Sequence, residues 1–295
     1  MRLCLSDAGL TIKTINAKDC AFIRDIGFRV VGVECELDST DSDISRAKDI
    51  LANAGLEIGP SGIGAAFSRP DKTEEAEHQK LLKQKIVLAG KMGSTSLRYS
   101  TGSMHPKSVW LPHPLNHTQK ALDDAIESTR KFVPFAEDNG VMLCPETTLW
   151  TIVNTAERMK EFVDRLDSPY AKIILDFAND ITFQTAYESG PAAFRSVAIL
   201  GDRVGEFHVK DVKVDSDKLL ICHIDEADMG TGLLDHEAII KASDQIEPWK
   251  CFSLEHFRSK DLWKPAYDHI QKVAKTIGHK WTDPGMTREK WEKRA

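Results

Sequence analysis

Short apolar stretches rich in β-branched residues alternate along the chain with longer segments of helical periodicity. Within segment 43–55, apolar side chains recur at the spacing of one helical face: Ile44, Ala47, Ile50, Leu51 and Ala54. Strands are predicted at 2–6, 30–37, 56–68, 95–103, 141–147, 171–180, 205–214 and 251–257. A helix is predicted after each strand, at about 18–26, 43–55, 71–90, 118–139, 154–166, 191–201, 236–243 and 262–277. The pattern therefore predicts eight consecutive strand–helix units.

Strands that alternate with helices indicate an α/β protein with a parallel sheet. Eight such units close naturally into a single (β/α)8 TIM barrel, which we expect to span residues 1–278 as one domain. An open, doubly wound sheet is the competing architecture, but the first strand–helix turn, SDAGLTIKT, lacks a GxGxxG phosphate loop. Residues 279–295 are expected to form a C-terminal tail, with Trp281 and Trp291 among its charged residues.

The overall charge restricts the classes of partner. The 295 residues carry a net charge of −6, which argues against a surface built for nucleic acid or anionic membranes. No segment approaches the roughly 20 apolar residues of a membrane-spanning helix, and the start, MRLCLSDAGL, lacks the apolar core of a signal peptide. The six cysteines are scattered without a CxxC pair, which indicates reduced thiols and a cytoplasmic protein.

Four residues with metal-binding side chains follow the predicted strands of units five to eight. They are Glu146, Asp176, His208 and Glu255. In a barrel, the chemistry lies at the C-terminal ends of the strands, so these side chains are predicted to share one mouth. Three carboxylates there would repel one another without a cation, and an imidazole among carboxylates suits a divalent ion. Any one of these residues alone is more typical of a surface or ion-pair residue. Their shared position at the ends of four successive strands is what predicts a metal site.

The set of four, together with FHVKDV (207–212) and GTGLLD (230–235), resembles the xylose isomerase-like TIM-barrel superfamily of sugar isomerases, epimerases and inosose dehydratases. The resemblance extends to about Gly278. It implies that the four residues hold one divalent ion, Mn²⁺ first, with Co²⁺, Mg²⁺ or Zn²⁺ as alternatives. It also implies a sugar or polyol substrate, proton transfer by Glu146 and Glu255, and, by analogy with related barrels, a homo-oligomer. Lys210 is the third catalytic candidate, either contacting substrate or neutralising a carboxylate.

The chemistry common to this superfamily is removal of a proton next to a carbonyl. The resulting enediolate is stabilised by a cation acting as a Lewis acid, and a carboxylate serves as the general base. Isomerisation and epimerisation are the first expectation. Asn179 stands where ketose 3-epimerases usually carry histidine, and Lys213 where they carry arginine. A lyase therefore stays open, either an inosose-type dehydratase or a 3-oxo-C-glycoside deglycosidase. An endonuclease IV-like DNA-repair nuclease and a non-catalytic sugar-binding protein are more remote alternatives.

The loop after the fourth predicted strand, GSMHPKSVWLPHPLNHT (102–118), is rich in side chains that can contact a sugar. An aromatic ring can stack on a sugar face, while histidine and asparagine can bind hydroxyl groups; the alternative is a proline-stiffened structural loop. The predicted substrate-binding residues, including three outside this loop, are Glu34, Arg98, His105, Trp110, His113, Asn116, His117 and Asn179. No phosphate-binding loop is found, so an unphosphorylated substrate is expected.

Overall fold

A computed structural model describes residues 1–218, 221–283, 285–286, 289–290 and 293. The strands are β1 Arg2–Leu5, β2 Val30–Val31, β3 Glu57–Ile58, β4 Ser61–Gly62, β5 Ser96–Ser100, β6 Met142–Glu146, β7 Ile173–Asp176, β8 Val204–Val209, β9 Asp211–Lys218, β10 Ile221–Ala227 and β11 Cys251–Leu254. The helices are α1 Ala17–Ile26, α2 Asp41–Ala54, α3 Lys72–Met92, α4 Gln119–Arg130, α5 Val133–Asp138, α6 Ala156–Leu166, α7 Ser189–Leu200, α8 His236–Ser243 and α9 Trp263–Thr276.

Nine strands form one parallel sheet in the order β3-β2-β1-β11-β8-β7-β6-β5-β4. The two ends of this order, β3 and β4, are separated by only Gly59 and Pro60, so they are two halves of one barrel strand. Proline has no N–H to donate to a ladder, which accounts for the interruption. The sheet therefore closes into an eight-stranded barrel surrounded by helices, and the predicted (β/α)8 fold is confirmed.

Most predicted helices agree with the structure to within a few residues, and side-chain caps explain where several begin. Thr40 and Asp43 form a reciprocal capping box at α2, and Thr155 caps α6. The single helix predicted at 118–139 is instead two helices, α4 and α5. Pro134 lies in the first turn of α5, where its missing N–H costs nothing; in the middle of a continuous helix it would remove a hydrogen bond.

The seventh unit differs most from its prediction. The strand predicted at 205–214 is two strands, because β8 ends at Val209 and Lys210 separates it from β9. Strand β9 pairs with β10 as an antiparallel hairpin that forms a separate two-stranded sheet. This hairpin projects from the C-terminal end of β8. It accounts for much of the 47-residue interval between His208 and Glu255.

Residues 281–282 lie against the N-terminal end of the barrel. The Trp281 indole N–H donates to Gln271 Oε1 at 3.1 Å, and its ring lies 5.3 Å from that of Phe252. The N–H of Thr282 donates to the carbonyl of Met1 at 2.8 Å. Trp291 lies outside the described residues. No helix in the described part of the chain combines the length and apolar composition needed to cross a membrane.

Candidate active site

The structure brings together the four residues predicted to bind a metal. Glu146 and Asp176 end β6 and β7, His208 lies near the end of β8, and Glu255 directly follows β11. Asp176 is paired in register with His208 across the parallel ladder. One ligand atom from each of the four residues lies within 4.8 Å of the others, and all four residues are buried. Closure of the barrel thus places three carboxylates and one imidazole in a single cluster at its C-terminal mouth.

The His208 imidazole lacks conventional hydrogen-bond partners. Its Nδ1 lies 2.9 Å from Glu255 Oε2 and 3.4 Å from Glu146 Oε1, and its Nε2 lies 3.4 Å from Glu206 Oε1. Neither ring nitrogen makes a hydrogen bond of acceptable geometry, although both are fully buried. A buried polar atom without a partner is costly, and an Nδ1 that faces two carboxylates is a suitable metal ligand. The cluster therefore fits a divalent ion.

Two cations border the cluster. The Lys210 ammonium contacts Asp176 Oδ2 and lies 2.7 Å from Glu255 Oε1. The Arg98 guanidinium lies 3.3 Å from Glu255 Oε2 and 3.0 Å from Asp7 Oδ1. The Lys210 ammonium thus lies beside two carboxylates of the cluster. Three carboxylates therefore outnumber the two cations beside them when His208 is neutral, the form in which an imidazole binds a metal.

These charges shift the pKa values of the cluster. Burial opposes ionisation of Glu255, but His208 and Lys210 outweigh it and hold the Glu255 pKa well below its usual range. Burial likewise opposes charge on Lys210, yet Asp176 and Glu255 raise its pKa above the ordinary value. Burial raises the pKa of Asp176 despite the adjacent Lys210. At Glu146, burial and Glu255 raise the pKa, but the attraction of His208 and Lys210 lowers it overall.

A cavity of about 710 Å³ opens in front of the cluster, and we call it the main cavity. Five residues selected from the sequence line it: Glu34, Arg98, Trp110, Glu146 and Asn179. The Asn179 side-chain amide donates to Glu146 Oε1 at 3.3 Å. The Trp110 indole lies beside Gly64, where a Cβ would be 3.8 Å from its Nε1. The main cavity thus combines carboxylates, hydrogen-bonding groups and an aromatic wall, as small-molecule sites do.

The other four predicted substrate-binding residues do not line the main cavity. His105 and His113 accept hydrogen bonds from backbone N–H groups of their own loop, those of Lys107 and Leu115. His117 is exposed to solvent. Asn116 is fully buried and binds the Met104 N–H and the Trp150 carbonyl. The Asn116 amide therefore joins this loop to the one after β6.

Four acidic or basic groups at the site were not predicted from the sequence: Asp7, Glu206, Glu226 and His256. Asp7 and His256 have positive φ values of 50° and 60°, which are strained for residues other than glycine and concentrate at functional sites. His256 Nδ1 contacts Glu226 Oε1 across the main cavity wall. The position of His256, next to Glu255, was a usable signal. Glu226 offered none, because it lies on a hairpin that was not predicted.

A cluster of three carboxylates and a histidine at the C-terminal mouth of a (β/α)8 barrel defines a class of metal-site TIM-barrel proteins. The chain belongs to the family described as the xylose isomerase-like TIM barrel, whose sequence model matches residues 20–275. A search of curated proteins finds no match.

Solved structures share this fold at low sequence identity. A xylose isomerase-like TIM barrel protein from Mycobacterium smegmatis, in complex with magnesium, is 18% identical with a TM-score of 0.70, over 93% of this chain and 97% of that chain. The D-psicose 3-epimerase of Clostridium cellulolyticum H10, solved with D-tagatose, is 16% identical with a TM-score of 0.70, over 95% and 100%. The IOLI protein with a bound zinc atom is 18% identical with a TM-score of 0.65, over 94% and 96%.

Proposed function

We propose that this protein is a cytoplasmic, divalent-metal-dependent sugar isomerase or epimerase. It acts on a keto-sugar or polyol by transferring a proton next to a carbonyl. The observation that carries the proposal is the buried cluster of three carboxylates around His208, whose Nδ1 has no hydrogen-bond partner and faces the carboxylates. Membership of the family and the fold shared with a sugar epimerase support it.

Glu146, Asp176, His208 and Glu255 would hold the ion. Mn²⁺ is the first candidate, because carboxylate and imidazole donors together suit it; magnesium and zinc, the metals of two structural neighbours, are the alternatives with Co²⁺. When bound, such an ion supplies Lewis-acid polarisation of a carbonyl oxygen.

Glu146 is the proposed base, because its carboxylate is the one of the three that lines the main cavity. The Asn179 amide fixes its orientation by donating to Oε1. Glu255, fully enclosed between Lys210 and Arg98, is the proposed second proton carrier. Lys210 holds Glu255 and Asp176 in place as a positioning residue.

Arg98 and Glu34 are proposed to bind sugar hydroxyls, and Trp110 to stack on a sugar face. Arg98 lies 3.8 Å from Glu34 Oε1, so the two groups present donors and acceptors side by side in the main cavity. Carbohydrate hydroxyls need both, since each hydroxyl can donate and accept.

The lyase remains the second candidate, and one observation favours it. Lys213, at the position where ketose 3-epimerases of this superfamily carry an arginine, pairs with Asp215 and is half exposed. It does not line the main cavity, so a substrate contact expected of a 3-epimerase is lacking among the residues around that cavity. Elimination begins with the same proton removal, but the bond to a group on the next carbon then breaks and that group leaves with a proton, as water in a dehydratase. Isomerisation and epimerisation instead return a proton to a sugar carbon.

The proposal is tested by metal content and by proton exchange. Elemental analysis after incubation with Mn²⁺ or Co²⁺ should find one ion per chain in the wild type and none in His208→Ala. Keto-hexoses, keto-pentoses and inososes incubated in D₂O should gain deuterium next to the carbonyl, detected by NMR. We expect Glu146→Gln to slow exchange by about 10²–10⁴-fold.

The matched control is Glu237→Gln, a surface glutamate paired with Lys241 on α8. It should retain both metal and exchange. Wild-type protein that binds neither Mn²⁺ nor Co²⁺ would exclude the proposed function. Exchange that persists at full rate in Glu146→Gln would exclude Glu146 as the base while leaving the metal site standing.

A further inference from the structure

His256 directly follows Glu255 in the chain and lines the main cavity. In an extended strand, neighbouring side chains point to opposite faces. Here His256 has a positive φ of 60°, and its Nε2 lies 3.6 Å from Glu255 Oε1, so the two side chains lie on the same side of the chain. The left-handed backbone therefore keeps the imidazole beside the cluster instead of turning it away.

The carboxylate of Glu226 orients this imidazole. Glu226 belongs to strand β10 of the hairpin and also lines the main cavity. Its Oε1 contacts Nδ1 of His256. Because an ionised carboxylate only accepts hydrogen bonds, Nδ1 is the nitrogen that carries the proton in this contact. The contact fixes the ring and leaves Nε2 as the nitrogen that can bind another group.

Nε2 of His256 makes no hydrogen bond with any residue in the described part of the chain. Glu255 Oε1, at 3.6 Å, lies beyond hydrogen-bond reach and already accepts from the Lys210 ammonium at 2.7 Å. The His256 side chain is 39% exposed, so a ligand in the main cavity can approach it. A hydroxyl both donates and accepts, so Nε2 can bind one whether or not this nitrogen carries a proton.

The position of His256 complements that of Glu146, the proposed base. Glu146 ends β6 and His256 lies just after β11, and strands β7 and β8 stand between those two in the sheet. Because the strands form a closed barrel, the two side chains reach the main cavity from different sides of its mouth. A sugar whose reacting carbon lies at Glu146 would therefore present a more distant hydroxyl to His256.

We propose that His256 is a substrate-binding residue whose Nε2 binds a hydroxyl of the keto-sugar, and that Glu226 is the positioning residue for its imidazole. This inference rests on the proposed function and names a specificity-determining pair of the same site. The contact holds the sugar at a point away from the carbon that loses its proton, so it selects sugars with a hydroxyl at that point. Because Glu226 lies on the hairpin, the hairpin takes part in this selection.

The test uses variants that remove the imidazole or its orienting partner. His256→Gly removes the imidazole without straining the backbone, because glycine adopts a positive φ readily. Glu226→Ala removes the orienting carboxylate, whereas Glu226→Gln retains an oxygen that can accept from Nδ1. The matched control is His223→Ala, since His223 pairs with Asp225 on the same hairpin and does not line the main cavity.

D-Fructose, D-tagatose and L-ribulose are titrated into the metal-loaded full chain, and their dissociation constants are measured by NMR. His256→Gly and Glu226→Ala should weaken binding of the tightest of these sugars by about fivefold, as expected for one hydrogen bond. Glu226→Gln should restore most of that affinity, and His223→Ala should match the wild type. Monodeoxy analogues of the same sugar identify the hydroxyl. The wild type and His256→Gly should bind one of these analogues equally well, because the contact is already absent.

Three results would overturn the inference. The first is that none of the three sugars binds the wild type, and the second is that His256→Gly binds them as the wild type does. The third is loss of metal in His256→Gly, since His256 would then act on the ion together with Asp7 and Glu255, whose ligand atoms lie close to its own.

Metal content and deuterium exchange are measured on the same samples, so that the two proposals fail separately. Unchanged sugar affinity in His256→Gly, with metal and exchange present in the wild type, removes the role of His256 alone. A wild type that neither binds metal nor exchanges protons removes the proposed function, and the role of His256 with it.

Discussion

The Glu206 carboxylate lies 3.4 Å from Nε2 of His208, on the side of the imidazole away from Glu146 and Glu255. Glu206 is itself fixed, since Oε1 accepts from the Ser253 hydroxyl at 2.7 Å and Oε2 from the Ser96 hydroxyl at 2.9 Å. A histidine that binds a metal through one nitrogen usually has a carboxylate at the other, which sets its tautomer and raises its basicity. Glu206 is placed to do this for His208.

Glu206→Gln is therefore expected to weaken metal binding by about 10–100-fold. The amide cannot hold an imidazole N–H as strongly as a carboxylate does, so Nδ1 is presented less firmly to the ion. The measurement is the Mn²⁺ or Co²⁺ dissociation constant in competition with a chelating dye. Glu247→Gln is the control, since Glu247 is a partly exposed partner of Lys250. If the wild type and Glu206→Gln bound the metal with equal affinity, the contact between Glu206 and His208 would not strengthen metal binding.

Asn116 is expected to affect stability rather than substrate affinity. Its amide binds the Met104 N–H at 2.7 Å and the Trp150 carbonyl at 2.6 Å in a fully buried position. Asn116→Ala leaves these groups unsatisfied and should lower the free energy of unfolding by about 1–3 kcal/mol, measured by urea denaturation. His117→Ala, at an exposed position of the same loop, should change it by less than about 0.5 kcal/mol. A stable Asn116→Ala with a raised KM would support direct sugar contact instead.

Position 232 needs a glycine because the Asp211 carboxylate occupies the space that a Cβ would take. The Asp211 carboxylate accepts from the N–H groups of Gly230 and Gly232, each at 2.9 Å, and of Leu234 at 3.2 Å. A Cβ at position 232 would lie 2.2 Å from Asp211 Oδ1 and 2.3 Å from the Val212 carbonyl oxygen. Gly232→Ala must displace this loop, and we expect a loss of about 3 kcal/mol in unfolding free energy.

The comparison variant for Gly232→Ala is Gly64→Ala. A Cβ there meets only Trp110 Nε1 at 3.8 Å, an ordinary contact distance. The unfolding free energy of Gly64→Ala should lie within about 1 kcal/mol of the wild-type value. If Gly232→Ala and Gly64→Ala lost similar amounts of unfolding free energy, the short contact with Asp211 would not be destabilising.

Lys250 should make stability depend on pH. Burial lowers its pKa to about 8 from 10.5, against the opposing attraction of Glu247. Between these two pH values the unfolded chain holds a proton that the folded chain has released, so the Lys250 contribution to stability rises with pH. Below pH 8 the folded protein carries a buried ammonium at a cost of up to about 3 kcal/mol.

Lys250→Met removes that cost. The variant should therefore exceed the wild type in unfolding free energy at pH 6.5, and the difference should shrink at pH 9.5. Lys241→Met is the control, because Lys241 pairs with Glu237 on the exposed face of α8, away from Lys250. A difference that is constant across this pH range would show that Lys250 is not titrating in the folded protein.

The short stretch FHVKDV shows where prediction from sequence stops. The chemistry of His208 was predicted from its place at a strand end, and that place is a local property of the chain. The role of Lys210 stayed open between a substrate contact and neutralisation of a carboxylate. In the structure the strand ends at Val209. Lys210 then turns to Asp176 and Glu255, while Asp211 binds backbone N–H groups about twenty residues further on.

The sequence by itself determined the repeating strand–helix units and the metal-binding side chains at or beside the C-terminal ends of strands β6, β7, β8 and β11. Hydrophobic periodicity and strand-end position are local, and closure of a parallel barrel carries every strand end to the same mouth. Only the tertiary structure determined which loop residues face the main cavity. Trp110 lines that cavity, whereas Asn116, six residues later in the same loop, is buried. It also decided the approach of Glu206 to His208 and of Glu226 to His256. Those contacts depend on how strands and loops pack in three dimensions. The periodicity of the sequence carries no information about that packing.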